Sequence, residues 1–553
     1  MEREGRLWWV WGLLCVGILV AWLPALQGPF VYDDRLEVVG NGTIQDLSQW
    51  QLILGYNWSR PLTIASYALN HAVHGPQVLG YHLVDLVLHM VSAGLALLTL
   101  REVSRILELE RPLWFSAIGA SMWALHPLQT ESVSYIAGRS EQLAALLVLL
   151  GLWSWLRFLQ APGSRREQQF LAWAAVSLAV FAKETGVVLV PLMAAADWLL
   201  LNRGQLRRVL WLRYVPGVVG IVAFFGLRLW LYGSLLSPAE PLRPLSEQLP
   251  TQSLAWTRYL RLSLLPYGQS LFHDLPVHGL DGMTGLAMAA WLGALIAALG
   301  LSGRFPALSF ALIAWALCLA PSSSIVALKE TMAEHRVHLA LLAPMSVLSG
   351  ALFSGRERSG WVRWVALGLT AGLLVLSFNR NTLWSSEVTL WQDAVAKNPE
   401  SAEARYALGD ARRLAGDPEG ARKAYKAATR LDPTYAAAFN NLGLLELQIG
   451  GQGAAEQAWK QALVANPRYC PAHNNLGQLY MQQRKPRQAM LELNTTLSKC
   501  PQDCMAHRLL GALYEEHVPD RALAIRHYEA ALEICPAASW SPDVRERLTR
   551  LTW

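Results

Sequence analysis

Apolar segments long enough to cross a lipid bilayer recur along the first two thirds of the chain and then stop. They begin at Leu7 and end at Phe378, and most contain about 17 to 20 residues, close to the length that a helix needs to span the hydrocarbon core. We predict about eleven membrane-crossing helices, near residues 7–26, 79–100, 113–126, 141–158, 169–182, 186–201, 214–232, 284–301, 306–320, 337–353 and 361–378. The first segment lacks a clear signal-peptide cleavage site, so we interpret it as an uncleaved helix.

After the last apolar segment the pattern changes to a repeat of 34 residues. The pair Leu-Gly recurs at this spacing, at Leu408-Gly409, Leu442-Gly443, Leu476-Gly477 and Leu510-Gly511. This period is typical of the tetratricopeptide repeat, a helix-turn-helix unit. We predict a lone second helix over 386–397 and four full repeats, with one inserted turn residue near 518–520. The predicted fold is therefore all-α: a membrane domain over 1–380 and a repeat domain over 386–553.

Composition and charge agree with this division. The chain has 553 residues, of which 53% are hydrophobic, and a mean hydropathy of +0.24, which is too apolar for an ordinary soluble protein. The net charge of +6 gives no nucleic-acid signal, because many arginines lie in short loops between apolar segments, where they orient helices. These arginines are Arg101, Arg105, Arg111, Arg157, Arg165, Arg166, Arg203, Arg207, Arg208, Arg213, Arg304, Arg356, Arg358 and Arg363.

The distribution of arginines predicts a cytoplasmic amino end. An odd number of crossings then places the repeats on the opposite, outer side of the membrane. The amphipathic stretch 254–266 is interpreted as an interfacial helix on that outer side rather than as a crossing.

The outer loops contain the candidate chemistry. Asp33 and Asp34 follow the first apolar segment. Because two carboxylates near lipid are energetically costly, their presence there indicates a functional role. The same side is predicted to hold Arg60, His126, Glu131, Arg139, Lys183, Glu184, Glu334, His335 and Arg336. For any one of them, the alternative is an ordinary solvated side chain at the membrane interface.

The second predicted helix adds a polar stripe, because His82, Asp85 and His89 share one helical face. A metal site is one interpretation. However, His89 lies about 10 Å farther along the helix axis than His82, which is too far for one ion without a kink. We favour a stripe that is hydrogen-bonded inside the helix bundle.

Taken in order, these residues resemble the motifs of one known family, the transmembrane and tetratricopeptide-repeat O-mannosyltransferases and their bacterial relatives in the GT-C superfamily. The resemblance covers essentially the whole chain and departs at Asp85, where asparagine is expected, and at His338, where tyrosine is expected. Its motifs are Tyr32-Asp33-Asp34, Asn41, Arg60-Pro61-Leu62, Ser66, Asn70, Tyr81-His82, His89, His126-Pro127, Glu131, Gly138-Arg139, Lys183-Glu184 and Glu334-His335-Arg336.

The resemblance implies transfer of a sugar, typically mannose, from a polyprenyl-phosphate carrier to a Ser or Thr hydroxyl of a protein, with inversion at the anomeric carbon. Either Asp33 or Asp34 is the expected base, since an attacking hydroxyl needs a carboxylate in reach. The donor phosphate and its lipid are expected to contact a set drawn from Arg60, His82, His126, Arg139, Lys183, Glu184, Glu334, His335 and Arg336, chiefly the cations. No metal or other cofactor is expected beyond the donor lipid itself.

Two alternatives from other classes are an inactive membrane-anchored docking scaffold and a transporter of lipid-linked sugar. A scaffold does not account for charges gathered on one side across four loops, and no internal duplication typical of transporters is evident. We expect a bacterial plasma membrane, because most outer loops are short. The glycosylation sequons at Asn41, Asn57 and Asn494 keep an endoplasmic reticulum membrane with lumenal repeats as the alternative. The expected partners are the lipid-linked donor and an acceptor polypeptide that docks on the repeats.

Four cysteines fall in the repeats, an even number in a domain that is expected to lie in an oxidising compartment. In a helix hairpin, the start of the first helix lies beside the end of the second. This geometry favours the disulfides Cys470–Cys500 and Cys504–Cys535. Buried free thiols and the neighbouring pair Cys500–Cys504 are the alternatives.

Overall fold

The structure is a computed structural model that describes residues 2–202, 210–232, 243–324, 327–353, 360–536, 538 and 540–553, with the side chains of 2–6 and 232 left outside this description. All secondary-structure elements among these residues are helices, which confirms the all-α prediction. The chain divides into two compact units, Met1–Lys397 and Asn398–Trp553. The predicted cytoplasmic arginines Arg203, Arg207, Arg208, Arg356 and Arg358 lie outside the described residues.

The first unit contains sixteen α-helices within the described ranges. In chain order they are α1 Glu2–Trp22, α2 Trp50–Tyr56, α3 Pro61–His74, α4 Val78–Ile106, α5 Pro112–Ala124, α6 Gln129–Ser134, α7 Arg139–Gln160, α8 Arg166–Ala182, α9 Leu189–Ala196, α10 Val215–Tyr232, α11 Leu245–Leu264, α12 Gly282–Gly300, α13 Pro306–Leu319, α14 Leu342–Phe353, α15 Trp361–Leu383 and α16 Glu387–Lys397. Each of the eleven predicted membrane segments overlaps one of these helices.

Seven spans among the described residues are long and apolar enough to cross a bilayer, and they contain α1, α4, α7, α9, α10, α12 and α15. The chain is thus a membrane protein by the length and composition of its helices. The other four predicted crossings, α5, α8, α13 and α14, are shorter, at 13, 17, 14 and 12 residues. That these four also cross the membrane stays a prediction.

Helix α11 corresponds to the stretch that was interpreted as interfacial, and it begins nine residues earlier than predicted. One face of this helix is buried, with Tyr259 and Leu262 against the bundle, while Leu264 on another side is exposed. The hydroxyl of Tyr259 donates to the carbonyl of Ala333 over 2.9 Å. Helix α11 therefore packs on the bundle through one face and also anchors the loop before α14.

Two apolar clusters form the core of the bundle. The first joins α1, α4, α5, α14 and α15 around Trp22 and Trp123. The second joins α7, α8 and α9 around Trp155. Helices α7 and α9 approach closely because residue 151 is a glycine: a Cβ there would lie 2.3 Å from the side chain of Leu189. These clusters fix the helix ends from which the outer loops begin.

Helix α16 belongs to the first unit, although its sequence matches the second helix of a repeat. Its Glu387 forms an ion pair with Arg35, and its Asp393 accepts from Arg380 over 2.6 Å. Leu390 is buried in a cluster with apolar residues of the first outer loop. The division between the units therefore falls after Lys397, rather than before residue 386 as the repeat spacing had suggested.

The second unit contains four helix hairpins followed by one more helix. The hairpins pair α17 Ala402–Leu414 with α18 Pro418–Leu431, α19 Ala436–Gln448 with α20 Gln452–Ala465, α21 Cys470–Gln482 with α22 Pro486–Lys499, and α23 Cys504–Glu516 with α24 Arg521–Ile534, before α25 Ser541–Thr552. The last hairpin has a four-residue turn where the others have three, so the inserted residue lies where it was predicted.

The recurring glycine has a steric reason. In each hairpin it lies directly under a large side chain of the second helix, and a Cβ at Gly409 would lie 2.5 Å from the ring of Tyr425. The same close approach joins Gly443 to Trp459 and Gly511 to Tyr528, while Leu493 takes the place of the aromatic ring opposite Gly477. Glycine at this position lets the two helices pack closely.

Both expected disulfides are present in the second unit. Cys470–Cys500 and Cys504–Cys535 each join the first residue of one helix to the residue after its hairpin partner, with Cα atoms 6.7 Å and 6.1 Å apart. The free cysteines among the described residues are Cys15 and Cys318, both in apolar helices of the first unit.

Candidate active site

The two adjacent carboxylates of the loop after α1 lie in opposite environments. Asp33 is exposed, whereas Asp34 is 0% exposed. Between them and the preceding helix, Tyr32 has a φ of 46°, a left-handed conformation that is rare for a bulky residue and often marks a functional site. The loop therefore turns one carboxylate inward and leaves the next one accessible.

Asp34 fastens this loop to a second one. Its Oδ2 accepts from the backbone N–H of Val31 over 3.0 Å, and its Oδ1 accepts from that of Ala137 over 2.7 Å. Burial raises the pKa of Asp34 well above its usual value, although both backbone hydrogen bonds act in the opposite direction. Because both oxygens are already engaged, Asp34 is suited to hold the loop.

Asp33 is positioned by its backbone and surrounded by acids. Its N–H donates to the hydroxyl of Tyr135 over 3.2 Å, and burial together with Asp33 and Asp34 raises the pKa of Tyr135 well above the usual value. Burial also raises the pKa values of Glu37 and Glu330, and Asp33 contributes to both shifts. Cations oppose both shifts, Arg60 at Glu37 and His335 with Arg336 at Glu330, so the accessible carboxylate lies among charges of both signs.

Glu37 and Glu330 were not identified from the sequence. The sequence offered one signal for Glu37, its spacing of four residues from Asp33, which is one helical turn. In the structure the N–H of Glu37 donates to the carbonyl of Asp33 over 2.9 Å. Glu330 had no such signal, because nearly 300 residues separate it from Asp33.

Two ion pairs lie where α3 and α7 begin and α8 ends. Arg60 binds Glu184 through two hydrogen bonds of 3.1 Å and 2.9 Å. Lys183 donates to Glu141 over 2.6 Å, and each of these two side chains is 11% exposed. Lys183 and Glu184 therefore do not form an ion pair with each other. Each of them binds a different partner.

Arg139 lies in the interior of the bundle. It is fully buried, its Nε donates to Asp85 over 2.6 Å, and its Nη2 donates to Asn70 over 2.9 Å. Its guanidinium also lies 4.8 Å from the ring centre of Tyr67. Asp85, the first departure from the family motifs, therefore supplies a full negative charge to a buried arginine.

The other members of the helix α4 stripe bond to backbone carbonyls. His82 Nε2 lies 3.1 Å from the carbonyl oxygen of Gly28, and His89 Nε2 lies 2.9 Å from that of Ala124. The favoured interpretation of a polar stripe bonded inside the bundle is thus the observed one. His338, the second departure, packs near His89 with ring centres 6.0 Å apart and hydrogen-bonds to Gln129.

His126 is held between two backbone groups. Its Nε2 lies 3.1 Å from the carbonyl oxygen of Ser263, and its Nδ1 accepts from the N–H of Leu128 over 3.1 Å. Burial lowers the pKa of His126 to about 4, with the Ser263 carbonyl acting in the opposite direction. The ring is therefore neutral and is suited to structure rather than to binding an anion.

The segment Glu334-His335-Arg336 is fixed by carboxylates on both sides. Glu131 accepts from His335 Nδ1 over 2.5 Å and from the N–H of Glu334 over 2.9 Å. Glu334 in turn accepts from His273 over 2.7 Å. Burial acts to raise the pKa of Glu334, but His273, Arg380 and the N–H of Ser270 together outweigh it, so the pKa is lowered.

Arg336 differs from the other cations of the site. Its Nη2 donates to the carbonyl of Glu330 over 2.9 Å, but its buried Nε and Nη1 have no acceptor among the residues that the structure describes. The side chain lines a small cavity together with Glu141, Thr185 and Ser322. An anion that entered this cavity would meet donors that are otherwise left unsatisfied.

A second cavity, lined almost wholly by apolar side chains, adjoins the first. It lies among α4, α7, α9, α13 and α14, with Leu149, Leu192 and Phe310 on its walls. Val148, Cys318 and Leu339 line both cavities. The two cavities, of about 20 Å³ and 60 Å³, therefore share a wall, with Arg336 on the polar side and Leu149 and Leu192 on the apolar side.

The fold and the site together define a class: a multi-pass helical membrane protein whose loops gather carboxylates and cations, joined to a tetratricopeptide-repeat unit. A family model described as "TPR repeat" matches residues 409–450. The crystal structure of the MamA protein is 26% identical, covers 27% of this chain and 81% of its own, and superposes with a TM-score of 0.24.

Curated relatives extend over the membrane unit as well. The chain is 25% identical over 441 residues to protein O-mannosyl-transferase F38B6.6 of Caenorhabditis elegans, which is 75% of this chain and 62% of that one. It is 28% identical to Tmtc2 of Drosophila melanogaster over 46% of this chain and 28% of that one. It is 30% identical to human TMTC2 over 35% of this chain and 24% of that one. The chain thus covers less than two thirds of the length of these relatives.

These relatives confirm the resemblance that the ordered motifs carried. The chain is a relative of the transmembrane and tetratricopeptide-repeat O-mannosyltransferases.

Proposed function

We propose that the chain is an integral membrane glycosyltransferase that transfers a sugar, mannose by analogy with the names of its relatives, from a polyprenyl-phosphate carrier to Ser or Thr hydroxyls of protein. The transfer takes place on the extracytoplasmic face and inverts the anomeric carbon. The observation that carries the proposal is the pair of adjoining cavities, one apolar and one ending at the unpaired donors of Arg336.

Asp33 is the proposed base. Its carboxylate is exposed to an incoming hydroxyl, whereas Asp34 is buried and already accepts two backbone hydrogen bonds. A base must reach the proton that it removes, and this condition separates the two neighbours. Asp34 is then a positioning residue that holds the loop against Ala137.

The reaction balances without a cofactor. The Ser or Thr oxygen forms a bond to the anomeric carbon as its proton passes to the carboxylate of Asp33. The bond between that carbon and the phosphate oxygen breaks, and the polyprenyl phosphate leaves with the electron pair. Arg336 stabilises the charge that develops on the phosphate, with Lys183 and His335 as further cations nearby.

The remaining candidate residues are already engaged with other groups of the protein. Arg60 and Glu184 bind each other, Arg139 is committed to Asp85, and His82, His126 and Glu334 are engaged in buried hydrogen bonds. We assign to these residues the positioning of the loops rather than contact with the donor phosphate.

A direct test of the donor site uses the two free cysteines. Cys318 lines both cavities, whereas Cys15 lies in α1 and lines neither of them. In the purified full chain, undecaprenyl phosphate should slow maleimide labelling of Cys318 at least about tenfold and leave Cys15 unchanged, since tight occupancy excludes the reagent. Undecaprenol, which lacks the phosphate, should protect far less, and Arg336→Ala should abolish the difference between the two lipids. Equal protection by both lipids would show that Arg336 does not bind the phosphate.

A further inference from the structure

Two glutamates near Asp33 have carboxylates without partners. Glu37 lies one helical turn after Asp33, and Glu330 lies in the loop between α13 and α14. Both residues are half-buried, and neither carboxylate forms a hydrogen bond or an ion pair with any residue that the structure describes. A carboxylate that is partly withdrawn from water without gaining a donor is costly, which is expected where a ligand supplies the donors.

Glu330 is related both to the proposed base and to the proposed phosphate site. Its backbone carbonyl accepts from Nη2 of Arg336 over 2.9 Å, and Arg336 lines the small cavity. Burial raises the pKa of Glu330, His335 and Arg336 act in the opposite direction, and Asp33 adds to the rise. The carboxylate of Glu330 therefore lies within electrostatic reach of the base and of the cation that faces the phosphate.

Glu37 is related to the base and to the cavity in the same way. Burial raises its pKa, Arg60 and Lys183 act in the opposite direction, and Asp33 adds to the rise. Lys183 donates over 2.6 Å to Glu141, which lines the small cavity. Each of the two glutamates is thus within reach of Asp33 and of a cation at this cavity.

The chemistry of the proposed transfer defines what occupies the space between base and phosphate. In a displacement with inversion, the acceptor oxygen attacks the anomeric carbon from the side opposite the phosphate, so the sugar ring lies between the two. Arg336 indicates an anion in the cavity independently of any acid, because it is 7% exposed and its Nε and Nη1 have no acceptor among the described residues.

The hydroxyls of a sugar need acceptors once the ring is withdrawn from water. A carboxylate offers two acceptor oxygens and can bind two adjacent hydroxyls. We propose that Glu37 and Glu330 form the sugar subsite and accept hydrogen bonds from hydroxyls of the transferred hexosyl group. The proposal rests on the proposed function, from which it takes the positions of the base and of the phosphate. It assigns selection of the sugar to these two residues.

The first test measures binding of the sugar separately from its transfer. Affinities of the purified full chain for dolichyl-phosphate mannose and for dolichyl phosphate are compared through the protection of Cys318 from maleimide. The wild type should bind the mannosylated lipid at least about tenfold more tightly, since hydrogen bonds to charged groups are strong. Glu37→Gln with Glu330→Gln should reduce this ratio below about threefold and leave the affinity for dolichyl phosphate unchanged.

A ratio that the double substitution leaves unchanged would overturn the proposal. Failure of the wild type to bind either lipid would instead contradict the proposed function itself. Glu167→Gln is the matched control, because Glu167 is exposed at the opposite end of α8 from Lys183, and it should leave the ratio unchanged. If a glutamine variant has a lower melting temperature than the wild type, the aspartate variant of the same residue replaces it.

The second test matches Glu330 to a hydroxyl of the sugar. Transfer is measured with dolichyl-phosphate mannose and with analogues that each lack one sugar hydroxyl. Removing the hydroxyl that Glu330 binds and Glu330→Gln should each lower kcat/KM about 10- to 100-fold, and the two changes together should cost little more than one alone. Losses that multiply with every analogue would show that Glu330 does not bind the sugar hydroxyls.

Discussion

Two polar regions of the first unit differ in how far their hydrogen-bonding groups are engaged. The closed region consists of Asp34, His82, His126 and Arg139, all at most 4% exposed and bonded to backbone groups or to buried side chains. The open region consists of Asp33, Glu330, His335 and Arg336, where a carboxylate is exposed and a guanidinium keeps two unpaired donors.

This difference assigns separate tasks to residues of the same type. A buried group whose partners are all present stabilises the fold and cannot also bind a substrate. A group with unsatisfied donors or an accessible charge is costly to maintain, which is expected where it acts on a ligand. Asp33 and Asp34 are neighbours in sequence, yet they fall on opposite sides of this division.

The largest expected effect distinguishes these two aspartates. Asp33→Asn should lower turnover about 1,000-fold with little change in thermal stability, because the base is lost while the exposed site remains folded. Asp34→Asn should instead cost about 1 to 3 kcal/mol of stability, since an amide N–H₂ would face one of the backbone N–H donors. Turnover and melting temperature are measured on both variants. Equal behaviour of the two would remove the distinction.

The two arginines offer the same comparison among cations. Arg336→Ala should reduce kcat/KM about 100-fold through loss of phosphate stabilisation and should leave the melting temperature nearly unchanged. Arg139→Ala should cost about 3 to 5 kcal/mol of stability, because it leaves the carboxylate of Asp85 buried without its partner. Denaturation and steady-state kinetics separate these outcomes. A stability loss at Arg336 as large as that at Arg139 would place both in the closed region.

The closed region should also respond to acid. The pKa of His126 is lowered to about 4 by burial, below the value near 6.5 in the unfolded chain, so the unfolded state binds more protons between these values. Stability should therefore fall by about 3 kcal/mol as pH decreases from about 6.5 to 4. His126→Gln should remove this contribution from the pH dependence measured by thermal unfolding. A variant with the same pH slope as the wild type would show that another group is responsible.

The smallest expected effect concerns the support of Asp33 by α16. Arg35 pairs with Glu387, and Tyr32 packs edge-on against Trp391 with ring centres 6.1 Å apart. Arg35→Glu should lower kcat about tenfold at unchanged donor KM, because the loop that carries Asp33 loosens. The double exchange Arg35→Glu with Glu387→Arg should restore kcat to within about threefold. If the double exchange does not restore kcat, the ion pair does not support the loop that carries Asp33.

The repeats could be predicted from the sequence because their determinants are local. The spacing of 34 residues, the glycine under each large side chain, the inserted turn residue and both disulfides follow from contacts within one hairpin. Helix α16 shows the limit of this reasoning. Its Trp391 and Ala394 fit the repeat pattern, but partners as distant in sequence as Arg35 attach it to the first unit.

The residues of the site could be identified, but their environments could not. The ordered motifs brought Asp33, Asp34, Arg139 and Arg336 forward together. Which of them is buried depends on packing between segments far apart in the chain, such as Ala137 against Asp34 and Asp85 against Arg139. Burial and partner choice at these positions are properties of the assembled bundle, which periodicity and spacing do not encode.

The central claim is tested most directly by reconstituting the full chain in lipid nanodiscs with dolichyl-phosphate mannose, whose mannose is β-linked, and a Ser/Thr peptide, and then determining the linkage of the product by NMR. We expect an α-linked mannosyl peptide, formed by the wild type and not by Asp33→Asn. A β-linked product would contradict direct displacement by the acceptor hydroxyl. Undiminished transfer by Asp33→Asn would contradict the assignment of the base.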